Sequence, residues 1–144
     1  MNVARPTHFR LALVLAFAAA LLLPSLAEGA IYKSSREGFR ITFQVRGDYI
    51  RNVEIEARVR CGPDGSSYDR TTFDRAKRIR ADGSFRFYRR VATSAVFVRS
   101  VLVGKVRGRR IYGRFRSRES DDFTSCGTGT RDDPWIHFVA RRAS

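Results

Sequence analysis

Hydrophobic and polar residues alternate one by one along most of this chain, and this alternation most constrains its fold. The segment FRITFQVR at 39–46 and the segment NVEIEARVRC at 52–61 both follow it. Successive side chains of a β-strand point to opposite faces, so the pattern predicts strands with one buried side. No window after Ile31 has a sustained helical period. The sequence therefore predicts an all-β fold.

Turn-forming residues divide the chain into about eight short strands. Besides the two segments above and short strands on either side of the ADG turn at 81–83, we predict strands at 67–74, 94–106, 110–118 and 135–141. Short strands joined by tight turns are typical of an antiparallel meander closed as a small barrel or folded into a sandwich. We predict one such domain.

Hydrophobic registry selects the loops of two hairpins. Three-residue loops at 47–49 and 81–83 keep the apolar residues of each hairpin on one face, whereas a two-residue Gly47-Asp48 turn would mix the faces. The predicted pairs are Phe43 with Val53, Ile41 with Ile55 and Arg40 with Glu56 in the first hairpin, and Ile79 with Phe85 and Lys77 with Phe87 in the second.

The segment GKVRGRRIYGRFR at 104–116 predicts a third hairpin, with a two-residue turn at Gly108-Arg109. This register sets Gly104 opposite Gly113 and leaves a gap in the core that we expect Trp135 to cover. Cations collect on the outer face beside Val101 and Val103. The predicted polyanion-binding residues are Lys105, Arg107, Arg110, Tyr112, Arg114, Arg116 and Arg118. The alternative is an ordinary solvated sheet surface in a uniformly basic protein.

The first 27 residues have the pattern of a cleaved signal peptide. Arg5 and Arg10 precede an apolar run at 11–23, and Ser25-Leu26-Ala27 offers a cleavage site. The run has about thirteen residues, which is short for a bilayer-spanning helix of about twenty. We predict a signal peptide at 1–27, an all-β domain at 28–144 and no transmembrane segment after cleavage.

Charge and cysteine content point to the protein's surroundings. The chain has 28 Lys and Arg against 14 Asp and Glu, a net charge of +14, which predicts attraction to polyanions. Its two cysteines, Cys61 and Cys126, lie in a chain predicted to be exported. An intramolecular disulfide is the default there. Two buried thiols and an intermolecular bridge remain alternatives.

Several runs of the chain resemble a group of small exported bacterial β-proteins with no assigned activity. These runs are RCGPDG, DGSFRF, VLVGKVRGRRIYGRFR and WIHFVARRA. The resemblance covers nearly all of the predicted mature chain, apart from a slightly longer loop in GPDGSS. It implies an all-β fold and a bridge between Cys61 and Cys126, and it carries no functional residues.

Candidate catalytic side chains are few. His137 is the only histidine after the predicted signal peptide, and no serine or cysteine nucleophile motif accompanies it. The aspartate pairs at 121–122 and 132–133 match no calcium-loop spacing, so we expect turn capping there. Glu54 and Glu56 predict ion pairs with Arg40 and Arg58. We predict no catalytic residue, no metal and no cofactor.

These observations favour a non-enzymatic binding module for anionic polymers. We expect it to be secreted or associated with the cell envelope, where cell-wall and extracellular polymers are nearer partners than nucleic acid. A lipocalin-like carrier of an apolar ligand is the alternative, and an enzyme that uses His137 is the third reading. The inward phenylalanines argue against a carrier. The sequence leaves the oligomeric state open.

Overall fold

The computed structural model describes residues 29–63, 65–121 and 123–144. The predicted signal peptide at 1–27 lies outside the described residues and stays a prediction. The fold is all-β, as predicted. Across these three described ranges, no helix has the length and apolar character needed to span a membrane.

The described residues form ten strands. They are β1 (Ala30–Arg36), β2 (Phe39–Arg46), β3 (Tyr49–Cys61), β4 (Gly65–Phe73), β5 (Lys77–Arg78), β6 (Ser84–Ala92), β7 (Phe97–Arg107), β8 (Arg110–Ser120), β9 (Ser125–Gly127) and β10 (Ile136–Arg142). The strands β1 and β9 were not among those predicted. β1 has a weak alternation, and the three residues of β9 are too few to form a pattern.

Six strands close a barrel, which decides between the two predicted architectures. Antiparallel pairing runs in the order β10, β1, β2, β3, β9 and β8, and β8 pairs again with β10. The strands β7 and β6 continue outward from β8, while β4 and β5 pair with the other side of β3. The predicted meander is correct for consecutive hairpins, and β9 and β10 provide the long-range closure.

Buried side chains of the barrel strands and of the strands beside them form one core. Phe43, Phe87 and Phe115 are each 1% exposed and belong to one continuous hydrophobic cluster. The closest aromatic pair is Phe73 with Phe87, whose ring centroids lie 5.2 Å apart. Close packing of this kind supplies most of the hydrophobic stabilisation of a domain of this size.

The first hairpin has a shorter loop than predicted. Arg46 pairs directly with Tyr49, so the turn contains only Gly47 and Asp48. The predicted pairs of Ile41 with Ile55 and Arg40 with Glu56 are nevertheless confirmed.

A β-bulge reconciles the short turn with this register. The pairing shifts by one residue between Thr42 and Gln44, opposite Asn52 and Val53, so Phe43 has no single partner. Asn52 takes the left-handed conformation with φ at 51°, which asparagine tolerates better than most residues. The extra residue returns both Ile50 and Val53 to the buried face.

The second predicted loop is confirmed, but its strand pairing is wrong. The amide of Arg80 donates to the carbonyl of Ser84 at 2.9 Å across the loop 81–83, and Gly83 has a left-handed φ of 82°. The preceding strand β5 pairs with β3 instead of β6, so Lys77 lies opposite Ile50. The chain diverges because the amide of Ile79 donates to the carbonyl of Asp48, at 2.7 Å.

The third hairpin has the predicted register. Gly104 lies opposite Gly113, and Gly108 begins a two-residue turn. The rings that cover the glycines are those of Phe85 and Phe138, not Trp135 as predicted, because each ring belongs to the glycine's partner on the adjoining strand.

A disulfide joins Cys61 to Cys126 and confirms the predicted bridge. It links the end of β3 to β9 at a position where the two residues are also strand partners. A disulfide is typical of an oxidising, extracytoplasmic compartment.

Candidate functional site

Strand pairing arranges the outward residues of β6, β7, β8 and β10 in five rows, which we call the basic face. The rows are Arg107, Arg110 and Arg141; Ser84, Lys105, Tyr112 and Val139; Arg86, Val103, Arg114 and His137; Tyr88, Val101 and Arg116; and Arg90, Arg99 and Arg118. The rows contain ten Lys or Arg side chains and no carboxylate. The alternation that buries Leu102, Ile111 and Phe115 in the core turns these cations outward.

The seven predicted binding residues therefore share one surface. Most are exposed, while Lys105 and Arg116 are half-buried. Val101 is 1% exposed although it lies outside the core cluster, in the row between Tyr88 and Arg116.

Sequence reasoning missed the members of this face that lie on the neighbouring strands and on the outer part of β7. They are Arg86, Arg90, Arg99 and Arg141. The same alternation is present in β6 and β10. β6 is the chain neighbour of β7, whereas the position of β10 beside β8 follows only from the barrel closure. Their binding role, like that of the seven predicted residues, is a prediction.

Aromatic rings hold several of the guanidinium groups. The Trp135 ring lies outside the barrel, with the Arg114 and Arg116 guanidinium carbons 4.5 and 4.6 Å from its centroid. The Arg99 guanidinium lies 5.6 Å from the Tyr88 ring in the same way. Cation–π contacts of this kind limit the freedom of long side chains, so less entropy is lost when a ligand binds.

Among the described residues, two carboxylates lie at the borders of the basic face. Asp82 Oδ2 lies 3.8 Å from Lys105 Nζ, and Asp133 Oδ2 lies 3.5 Å from His137 Nε2. Hydrogen bonds from the Ser84 side chain and backbone lower the pKa of Asp82, with a smaller contribution from the charge of Lys105. Asp82 is therefore ionised at neutral pH and partly offsets the charge of Lys105 at that edge.

The outer face of β2, β3 and β4 has a different charge pattern. Glu56 pairs with Arg40 at 3.4 Å, as predicted, and Glu54 pairs with Arg70. Arg58, the predicted partner, instead donates to the Ser66 hydroxyl at 3.0 Å. The reason is the pairing of β4 with β3, which places Arg70 beside the two glutamates. This face therefore contains acids and bases together, whereas the rows of the basic face contain bases alone.

His137 and Asp121, which were considered for catalysis or metal binding, have structural partners. His137 is exposed, and its Nε2 lies 3.5 Å from Asp133 Oδ2. Asp121 accepts hydrogen bonds from the amides of Phe123 and Thr124, which lower its pKa and cap the turn, as predicted. Within the described residues, no group of three His, Cys, Asp or Glu side chains is placed to hold a metal ion.

The chain matches no protein-family model, no curated protein and no solved structure. The resemblance to small exported β-proteins therefore stays a prediction, and the candidate function is argued from the basic face.

Proposed function

We propose that this protein is a non-enzymatic binding module for anionic polymers, which it holds on the basic face. The observation that supports this proposal is the absence of any carboxylate from five adjoining rows that contain ten cations. The outer face of β2 to β4, by contrast, carries glutamates that pair with arginines. A face of one sign attracts an extended ligand of the opposite sign.

The spacing of the face suits a chain-like ligand. Alternate residues on a strand lie about 6.8 Å apart, and neighbouring strands about 4.8 Å apart. Arg114, Arg116 and Arg118 thus present three charges in line along β8. A polymer that follows this line exchanges its condensed counterions for several guanidinium groups, so its affinity depends steeply on salt. Tyr112 offers a flat surface for a base or a sugar ring.

The proposed location is the cell envelope or the extracellular medium. The disulfide favours an oxidising compartment, in agreement with the predicted signal peptide. Anionic cell-wall and extracellular polysaccharides are the polymers that such a protein meets first, and nucleic acid is a second partner of the same charge. The packed aromatic interior offers little support to the alternative of an apolar-ligand carrier.

A salt series tests this proposal. Binding of the purified protein to dextran sulfate and to single-stranded DNA is measured at several ionic strengths, beside the triple variant Arg110→Gln, Arg114→Gln and Arg116→Gln. Each lost contact with single-stranded DNA reduces the slope of log K against log salt by about 0.7, so we expect a reduction of about 2.

The matched control removes the same charge elsewhere. Arg46, Lys77 and Arg78 are exposed and lie around the β2–β3 turn, outside the basic face. Changing all three to glutamine lowers the net charge equally, and we expect the salt slope to stay close to that of the parent. Equal losses in the two variants would mean that only the overall charge matters, and the proposal would be wrong.

A further inference from the structure

A concave surface lies beyond the last row of the basic face, where β9 joins β3 to β8. It encloses about 630 Å³ between the turn at 62–63 and the loop at 128–134. We call it the arginine pocket after five of its lining residues, Arg60, Arg99, Arg116, Arg118 and Arg131. Three of these arginines belong to the basic face, while Arg60 and Arg131 do not.

Strand registry brings arginines from distant parts of the chain to the floor of this pocket. Arg60 on β3 and Arg118 on β8 are both partners of Gly127, one on each side of β9. Both arginines lie at outward positions, because the residues next to them, Val59 and Ser117, are buried. The two backbones are two strand spacings apart, about 10 Å, so both guanidinium groups can reach one ligand between them.

Gly127 has no evident structural reason to be a glycine. Its φ is not in the left-handed region, unlike that of six other glycines in the described residues. A β-carbon at this position would meet only the Ser117 carbonyl oxygen, at an ordinary 3.6 Å. The missing side chain does, however, leave the floor open between Arg60 and Arg118.

The wall of the pocket is held in place before any ligand arrives. The Thr128 amide donates to the Ser117 carbonyl at 3.0 Å, and the Thr128 hydroxyl donates to the Pro134 carbonyl at 2.9 Å. The disulfide at Cys126 fixes the other end of the same segment to β3. A preformed wall costs little ordering entropy on binding.

The charge of the pocket is uncompensated among its described neighbours. Among the residues that the structure describes, no Asp or Glu lines the pocket, and none of the five arginines takes part in a salt bridge. Several guanidinium groups around one volume repel each other, and a ligand with several negative charges removes that repulsion. Guanidinium forks match the oxygens of phosphate and sulfate in pairs.

From these observations we infer that the arginine pocket is a binding site for a small polyanion, namely a compact group with two or more phosphate or sulfate charges. Its volume is in the range of pockets that hold a sugar-sized or nucleoside-sized ligand. The inference goes beyond the proposed function, since it stands whether or not the basic face holds a polymer. The anionic group is either a free small molecule or a substituent carried by such a polymer.

Isothermal titration with inorganic tripolyphosphate at constant ionic strength tests the site. We expect one saturable site per chain. Gly127→Leu, which fills the floor without changing any charge, should weaken binding about tenfold or more, and so should Arg60→Gln combined with Arg131→Gln. Gly127→Ala, which adds only one methyl group, controls for folding and should leave the thermal midpoint unchanged.

Two comparisons keep this inference separate from the proposed function. Arg110→Gln combined with Arg114→Gln should weaken dextran sulfate binding and leave tripolyphosphate binding intact. If the parent protein bound tripolyphosphate but did not bind dextran sulfate, the proposed function would be overturned and the pocket would stand. Tripolyphosphate binding that is unsaturable, or that Gly127→Leu leaves unchanged, would overturn the pocket.

Competition between tripolyphosphate and dextran sulfate would assign the ligand to the polymer, and simultaneous binding would assign it to a free anion.

Discussion

Gly104 and Gly113 are cross-strand partners, and the absence of their side chains leaves room for two buried aromatic rings beside them. Each glycine has a phenylalanine as its strand partner on the other side, Phe85 for Gly104 and Phe138 for Gly113. The Phe138 ring is itself packed on Phe39, with the centroids 5.6 Å apart, so it has little room to move. A side chain at either glycine would displace a ring from the core.

Gly113→Ala should therefore destabilise the fold. Its β-carbon would overlap the Phe138 ring and approach the Val103 carbonyl, and overpacking of this kind costs about 1–3 kcal/mol. Urea denaturation measures the loss in the free energy of unfolding. Gly127→Ala is the control, because its β-carbon has ordinary contacts. Equal stability of the two variants would show that the ring and the glycine are not packed as described.

Residue pattern alone predicted the paired glycines but not the rings that cover them. The register of β7 against β8 follows from one turn, so Gly104 and Gly113 could be paired from the sequence. The covering rings come from β6 and β10, and the position of β10 beside β8 depends on contacts between residues far apart in the chain. The bulge at Asn52 was missed for a different reason, because two loop lengths satisfy the same hydrophobic register when one extra residue is allowed.

The element that determines how the barrel closes is β9. It has three residues, yet it pairs with both β3 and β8 and carries Cys126. So short a strand contributes few backbone hydrogen bonds, and the disulfide supplies a covalent link at the same place. The sequence predicted the link from the parity of the cysteines and from a resemblance, but gave no sign of the strand.

Replacing both Cys61 and Cys126 with alanine should lower the stability of the whole domain. The bridge closes a loop with a sequence separation of 65, for which the chain-entropy model gives about 4 kcal/mol. The change is read from urea denaturation with and without reducing agent. Reduction should destabilise the parent protein by a similar amount and leave the double variant unaffected. A parent protein indifferent to reduction would contradict this account of the closure.

Across the whole molecule, the two sides of the barrel differ in charge. Glutamates pair with arginines over β2, β3 and β4, whereas the basic face has ten cations in rows without a carboxylate. Composition predicted the excess charge but not its distribution, because the distribution depends on strand pairing. Six of the ten cations lie on one hairpin, and the other four are added by neighbouring strands or by the outer part of β7. This asymmetry is the property on which polymer binding depends.

The central claim is that an anionic polymer binds on the basic face, and NMR mapping of backbone amides tests it most directly. The protein is titrated with dextran sulfate at a salt concentration where binding is reversible. We expect the largest chemical-shift changes on β6, β7, β8 and β10, and small changes on β2, β3 and β4. Shifts distributed evenly over every arginine-bearing strand would contradict the claim and would leave the basic face as an ordinary solvated surface.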